Sequence, residues 1–332
     1  MKYLAYLFAT VSIAVLAFVI VRFADLPEPV LVHLDPGPPQ PRVPPAEAGI
    51  DPVALEQAAE YAAARGSTAL LVTHGGHVVF EKYWGDTTAD SMVELGGFAP
   101  ALTALAVGGA INDRLIAGIE MPVARYLPDA TPDDATTVRQ LLALPPGGER
   151  AATDVALLTR LLEAVTGQSY EVLLTERLWK PMGAGEFSLT RWARGPEAGS
   201  VRGDCCLRMR VGDVMRLGEL LTHDGIFEGN QFAPPGYVTQ MLSPVAKGAS
   251  HGFFTRVDGT FATHDVARLE AEGSQRLWVV PSLRLSILRI GRNPGGKGWD
   301  EAMIPDTIIR GTQGWQPAGP GESVDPNRFA PH

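Results

Sequence analysis

The sequence is poor in the residue types that build several common kinds of site. It has only two cysteines, Cys205 and Cys206, and neighbours in sequence cannot cross-link distant segments, so we expect packed side chains rather than a disulfide framework. No histidine cluster accompanies them, and no metal site is predicted. Glycine-rich phosphate loops are also lacking, because Gly295–Gly298 has neither the length nor the hydroxyl of such a loop, so no cofactor is expected. A net charge of −9 without a basic stripe excludes nucleic acid as a partner.

The longest apolar run lies at the N-terminus. Residues 3–21 are apolar apart from Thr10 and Ser12, and such a run is long enough to cross about one hydrocarbon core. No small-residue cleavage site follows Arg22. We therefore predict an uncleaved signal anchor over 1–25, with the bulk of the chain outside the cytoplasm, periplasmic in a Gram-negative cell.

A proline-rich segment follows the anchor. Eight prolines lie between residues 26 and 45, and a segment of this composition cannot form a helix or an inner strand. We interpret 26–48 as a semi-rigid spacer between the membrane and a folded domain at 49–312. The remaining residues, 313–332, form a polar tail.

The folded region alternates between strand and helix patterns. Asp51 and Pro52 predict a helix start, and Gly75-Gly76 predicts a hairpin between strands at 68–74 and 77–84. An apolar stripe from Leu157 to Val165 predicts a helix that ends at Gly167. Further strands are predicted at 253–257, 277–280 and 284–290, and further helices at 211–221 and 299–309. This order predicts an α+β fold, in which sheet parts 49–95 and 250–312 form one antiparallel sheet flanked by N- and C-terminal helices, with a large helical part, 96–249, inserted between them.

The following segments occur in this order along the chain: Leu71–Gly76, Thr103–Gly108, Thr137–Leu142, Leu162–Gly167 and Gln275–Pro281. They resemble segments of the serine β-lactamase and penicillin-recognising hydrolase family, in particular its class C β-lactamase, esterase and 6-aminohexanoate-dimer hydrolase branch. Their order and spacing match that branch from about residue 49 to 311. The resemblance implies a β-lactamase/transpeptidase-like fold and acyl transfer through a serine ester.

The residues that this chemistry requires are absent from the matching positions. The family uses a serine, a lysine three residues later on the same helix face, a Y-x-N tyrosine and a K-T-G or H-x-G strand motif. The serine and lysine positions read Gly97 and Pro100, with Phe98 between them. None of the five lysines has a serine three residues before it. The tyrosine motif falls on Arg150–Ala152, and the strand motif falls on Glu272–Ser274.

The loss of three motifs predicts a membrane-anchored, catalytically inactive protein that acts in binding or scaffolding at the cell envelope. Its partner would be a small envelope molecule or a protein, held in a degenerate cleft. Arg150 and Glu272 are expected to form an ion pair across that cleft. The cleft is predicted to be lined by Gly97, Phe98, Pro100, Arg150, Ala152, Glu272 and Ser274.

Two other functions remain open on the sequence. Relocated residues such as Ser250, Ser274 or His264 could support an active hydrolase, although Gly248–Gly252 lacks the strand-turn-helix context of a nucleophile elbow. The chain could also be purely structural, with Phe98 and its neighbours filling the cleft.

Overall fold

A computed structural model describes residues 29–128, 135–145, 150–195, 197–257, 260–292 and 299–317. The predicted anchor at 1–25 and most of the tail at 313–332 lie outside these ranges. Every helix within them is too short or too polar to cross a bilayer.

The central sheet joins the two ends of the folded region, as predicted. Its order is β3-β2-β11-β10-β9, and every neighbouring pair is antiparallel. Its strands are β2 (Ser67–His74), β3 (His77–Tyr83), β9 (Ala267–Ala271), β10 (Gln275–Val280) and β11 (Leu285–Gly291). The predicted hairpin at Gly75-Gly76 is confirmed, since both glycines have positive φ and His74 pairs with His77.

The sheet is buried on both faces because alternate side chains enter different cores. Leu70 and Val72 pack on one face against α1 (Pro52–Ala63) and α9 (Met303–Arg310). Leu71 packs on the other face against the helical part. The predicted start of α1 is confirmed, because the Asp51 carboxylate accepts a hydrogen bond from the Val53 amide at 2.9 Å.

The inserted helical part is confirmed. It contains α2 (Ala99–Asn112), α3 (Val138–Leu142), α4 (Ala151–Thr166), α5 (Tyr170–Leu174), α6 (Lys180–Met182), α7 (Val214–Thr222) and α8 (Tyr237–Met241). The predicted stripe lies on α4, where Leu158, Leu161 and Leu162 are buried. The helix ends at Gly167, whose φ of 66° is left-handed.

The spacer interpretation of the proline-rich segment is wrong from residue 29 onwards. Here β1 (Pro29–Val32) pairs antiparallel with β5 (Phe187–Thr190) at the edge of a second sheet, whose order is β1-β5-β6-β4. The other strands of this sheet are β4 (Met92–Glu94) and β6 (Arg208–Arg210), and a small hairpin holds β7 (Ile226–Phe227) and β8 (Asn230–Gln231). Further along, the Val43 amide donates to the Val78 carbonyl at 3.2 Å. An edge strand tolerates proline, since one side of its backbone needs no partner, so the segment joins the domain.

The C-terminal strands also require a correction. Residues 253–257 are predicted as a strand, but they form bends with two isolated bridges, from Arg256 to His251 and from Arg256 to Arg268. The edge strand is instead β9, which the sequence pattern did not predict.

Candidate functional site

The turn into α2 places the predicted nucleophile position at the junction of the two parts of the fold. Gly96–Phe98 form a single 3-10 turn, and Pro100 lies in the first turn of α2, where its missing amide proton needs no partner. The Leu95 amide donates to the Leu207 carbonyl at 2.8 Å. The turn is therefore fixed between the sheet domain and the loop before β6.

Gly97 packs directly on the backbone of β9. A Cβ built on Gly97 would overlap the Glu270 carbonyl oxygen and would lie 3.0 Å from the Ala271 Cα. Backbone atoms of a paired strand cannot move aside as the tip of a flexible side chain can. Leu95 and Phe98, on either side, have no exposed surface. The backbone of β9 thus occupies the space that a side chain at position 97 would need.

Gly96 packs on the other wall of the junction. A Cβ there would lie 2.8 Å from the Cys206 amide nitrogen. Cys205 and Cys206 are bonded to each other in a disulfide, and both residues are partly exposed. The expectation that they are only packed side chains is therefore wrong. Two consecutive cysteines cannot link distant segments, but they can close a ring on themselves.

The residues predicted at the tyrosine and strand motifs do not meet as expected. Arg150 directly precedes α4. Burial raises the pKa of the Asp154 carboxyl, and the positive charge of Arg150 partly offsets that rise. Burial raises the pKa of the Glu94 carboxyl, and the negative charge of Glu272 raises it further. The ion pairs formed by the described residues do not include Arg150 with Glu272. Ala152, by contrast, lies in the first turn of α4, where its side chain offers no polar group.

Glu272–Ser274 form the turn between β9 and β10, not a strand that borders the cleft. The buried Arg289 guanidinium holds this turn by donating to the Ser274 carbonyl at 2.7 Å, and it also donates to the Arg292 carbonyl at 2.8 Å. Burial lowers the pKa of Arg289 to about 10, so it stays charged at neutral pH. The strand that borders Gly97 is β9, whose residues are Ala, Arg, Leu, Glu and Ala. It carries neither lysine nor a hydroxyl.

Comparison with known proteins agrees with this architecture. The profile of the β-lactamase family matches residues 54–205. These residues therefore belong to the β-lactamase family. No curated protein matches it in sequence.

Several solved structures have a similar fold, and the similarity covers most of this chain and most of each of those proteins. A Bacillus anthracis protein provisionally named 6-aminohexanoate-dimer hydrolase has a TM-score of 0.65 at 15% identity, covering 86% of this chain and 90% of its own. A penicillin-binding protein homologue from Caulobacter crescentus has a TM-score of 0.61 at 13% identity, covering 79% and 99%. A family VIII carboxylesterase has a TM-score of 0.62 at 12% identity, with the same coverage. At these identities, the likeness establishes the fold alone.

The serine residues that could replace the family nucleophile lie in loops. Ser250 is exposed, and its carbonyl accepts a hydrogen bond from the Val257 amide at 3.0 Å. Bends follow it rather than a helix, so the nucleophile-elbow geometry is absent there. Ser274 lies in the β9–β10 turn with a left-handed φ of 64°.

His264 and Asp265 do not form a base with its orienting carboxylate. The Asp265 carboxylate accepts hydrogen bonds from the Ser282 amide at 2.6 Å and from the Ser282 hydroxyl at 2.9 Å. It therefore caps the turn between β10 and β11. His264 lines a small cavity beside Val266 and Pro281.

Proposed function

We propose that this chain is a non-catalytic member of the serine β-lactamase-related family that acts at the cell envelope by binding or scaffolding. One observation carries the proposal. The position that the resemblance assigns to the nucleophile is Gly97, and the Glu270 carbonyl leaves no room there for a side chain. The proposed partner is an envelope protein or small molecule.

The closed junction favours recognition through the outer surface over recognition in the cleft. Leu95 and Phe98, which flank the Gly96-Gly97 pair, are fully buried, so neither side chain is open to a ligand. Hydrolases of this family instead need an accessible serine and space for an acyl group above it. We further propose that residues 3–21 anchor the protein in the membrane with the domain outside the cytoplasm.

The alternative is an active hydrolase that uses Ser250 or Ser274. Either serine would need a base within hydrogen-bond reach and donors for the oxyanion. Ser274 lies nearest in sequence to β9, but its carbonyl is held by Arg289 in a tight turn. This geometry favours a structural role for the residue.

Activity-based labelling tests the proposal. Full-length protein in detergent is incubated with a fluorophosphonate and with a fluorescent penicillin, beside an active class C β-lactamase as a positive control. We expect no covalent label, and no hydrolysis of nitrocefin or p-nitrophenyl acetate above the rates of the Ser250→Ala and Ser274→Ala variants. A label that either substitution abolishes would establish the alternative and refute the proposal.

A further inference from the structure

The Cys205–Cys206 disulfide contributes little to global stability. A disulfide stabilises a fold mainly by restricting the unfolded chain, and this effect grows with the length of the closed loop. Here the bonded residues are consecutive, so no loop lies between them. The consequence of the bond must be sought in its immediate surroundings.

The disulfide lies in one wall of the junction between the two parts of the fold, beside the predicted nucleophile position. The Cys206 amide nitrogen packs against Gly96, the residue before Gly97. The next residue, Leu207, is fully buried, and its carbonyl accepts a hydrogen bond from the Leu95 amide. Arg208 then begins β6. A change in the backbone at Cys206 is therefore transmitted to the turn that precedes α2.

The loop is held firmly on the other side of the disulfide. The buried Thr103 hydroxyl donates to the Gly203 carbonyl at 3.1 Å and hydrogen-bonds the Tyr170 hydroxyl at 2.6 Å. Because these groups fix Gly203, the backbone movement on opening the ring is directed towards residues 204–207 and the Gly96 turn that packs against them.

Cys206 has a left-handed backbone, with a φ of 63°. Residues with a Cβ rarely adopt this conformation unless their surroundings impose it. The ring formed with Cys205 is such a constraint. Opening it allows Cys206 to return to the commoner negative-φ regions, which moves its amide relative to Gly96.

We propose that Cys205–Cys206 is a redox-active disulfide whose state controls the packing of Gly96 and Gly97 against their neighbours. The co-reactant is a dithiol, small or protein-borne. Its thiolate attacks one sulfur, the Cys205–Cys206 bond breaks, and a mixed disulfide forms. The second thiol of the dithiol then displaces that cysteine. Two electrons and two protons pass to the protein, which gains two thiols, and the dithiol leaves as its disulfide.

The partial exposure of both cysteines supports such an exchange, since an attacking thiolate must reach a sulfur. The proposal does not depend on the absence of hydrolysis. Labelling with a fluorophosphonate and response to a dithiol are separate readouts, so either can fail alone.

The test uses full-length native protein in detergent, with and without dithiothreitol, followed by N-ethylmaleimide and intact mass measurement. The chain has only these two cysteines, so the label count is unambiguous. We expect no label before reduction and two labels after it, without denaturant. Hydrogen exchange is then compared between the oxidised and reduced protein. We expect several-fold faster exchange after reduction in peptides that cover residues 94–98 and 204–207, and unchanged exchange in α1.

A double variant, Cys205→Ser with Cys206→Ser, serves as the matched control. It should show the faster exchange without reductant and should not respond to dithiothreitol. Two results would overturn the proposal: labelling that requires denaturant, or complete reduction of the wild-type protein with no change in exchange at residues 94–98. Because the second result is measured on the wild-type chain, it holds even if the double variant folds poorly.

Discussion

At the scale of single residues, two adjacent glycines define the junction. Gly96 lies against the Cys206 amide, and Gly97 lies against the Glu270 carbonyl. Neither position has room for a Cβ. Their role is thus to allow close approach of the backbone, and the position predicted for the nucleophile has no space for a side chain.

Restoring the serine should therefore destabilise the protein without restoring activity. We expect Gly97→Ser to lower the free energy of unfolding by about 1–3 kcal/mol, the usual cost of overpacking, and to lower the Tm by several degrees. Chemical unfolding and fluorophosphonate labelling measure the two effects. Gly109→Ser is the matched control, since that glycine also lies in or near α2 and its Cβ would meet nothing closer than the Phe232 carbonyl oxygen at 3.4 Å. A stable, labelled Gly97→Ser protein would contradict the closed junction.

His74 gives a prediction for pH dependence. Burial at the end of β2 lowers its pKa below the ordinary value of 6.5, and the charges of His77 and Arg284 act in the same direction. The unfolded chain then binds the proton more readily than the folded chain, so the contribution of His74 to stability falls as the pH drops through 6.5. We expect the Tm of the wild type to decrease from pH 7.5 to 5.5 more steeply than that of His74→Gln.

A His33→Gln variant is the control for this measurement, because the His33 side chain is 74% exposed. Its Tm profile should follow the wild type. Parallel profiles for His74→Gln and the wild type would refute the assignment to His74.

At the scale of secondary-structure elements, β1 and β9 show the limits of pattern-based prediction. The proline content of 26–45 correctly excludes an inner strand, but it does not exclude an edge strand, and β1 is one. β9 was missed because Ala, Leu, Arg and Glu favour helices, and because the strand lacks β-branched residues. Pairing with β10 overrides that preference. The missed strand is the one that closes the junction at Gly97.

The packing of β1 can be tested by two neighbouring substitutions. Val30 packs against the core, whereas Leu31 on the opposite face is 50% exposed. Val30→Asp places a charge in the core and should lower the free energy of unfolding by about 1–3 kcal/mol. Leu31→Asp should leave it within about 0.5 kcal/mol of the wild type. Equal effects in urea unfolding would mean that the segment is the free spacer that its prolines first indicated.

At the scale of the whole molecule, the sequence predicted the frame better than the site. The hairpin at Gly75-Gly76, the α4 stripe and the union of the two chain ends in one sheet follow from periodicity and turn residues, and all are confirmed. The lack of a serine three residues before any of the five lysines could also be read directly. The contacts of Gly97 with β9 and of Gly96 with Cys206 could not be predicted from the sequence. They depend on how tertiary packing places segments that are more than a hundred residues apart.

The proposed order of anchor, short connection and domain gives the last prediction. Since β1 begins at Pro29, the connection between an anchor at 3–21 and the domain consists of residues 22–28, a reach of roughly 25 Å when fully extended. On the proposed anchoring, full-length protein sediments with membranes and stays there after an alkaline carbonate wash. A chain that begins at residue 29 keeps β1 and should remain in the supernatant with an unchanged Tm. Release of the full-length protein by the wash would refute the anchor, and a lowered Tm of the shortened chain would show that residues before Pro29 also stabilise the domain.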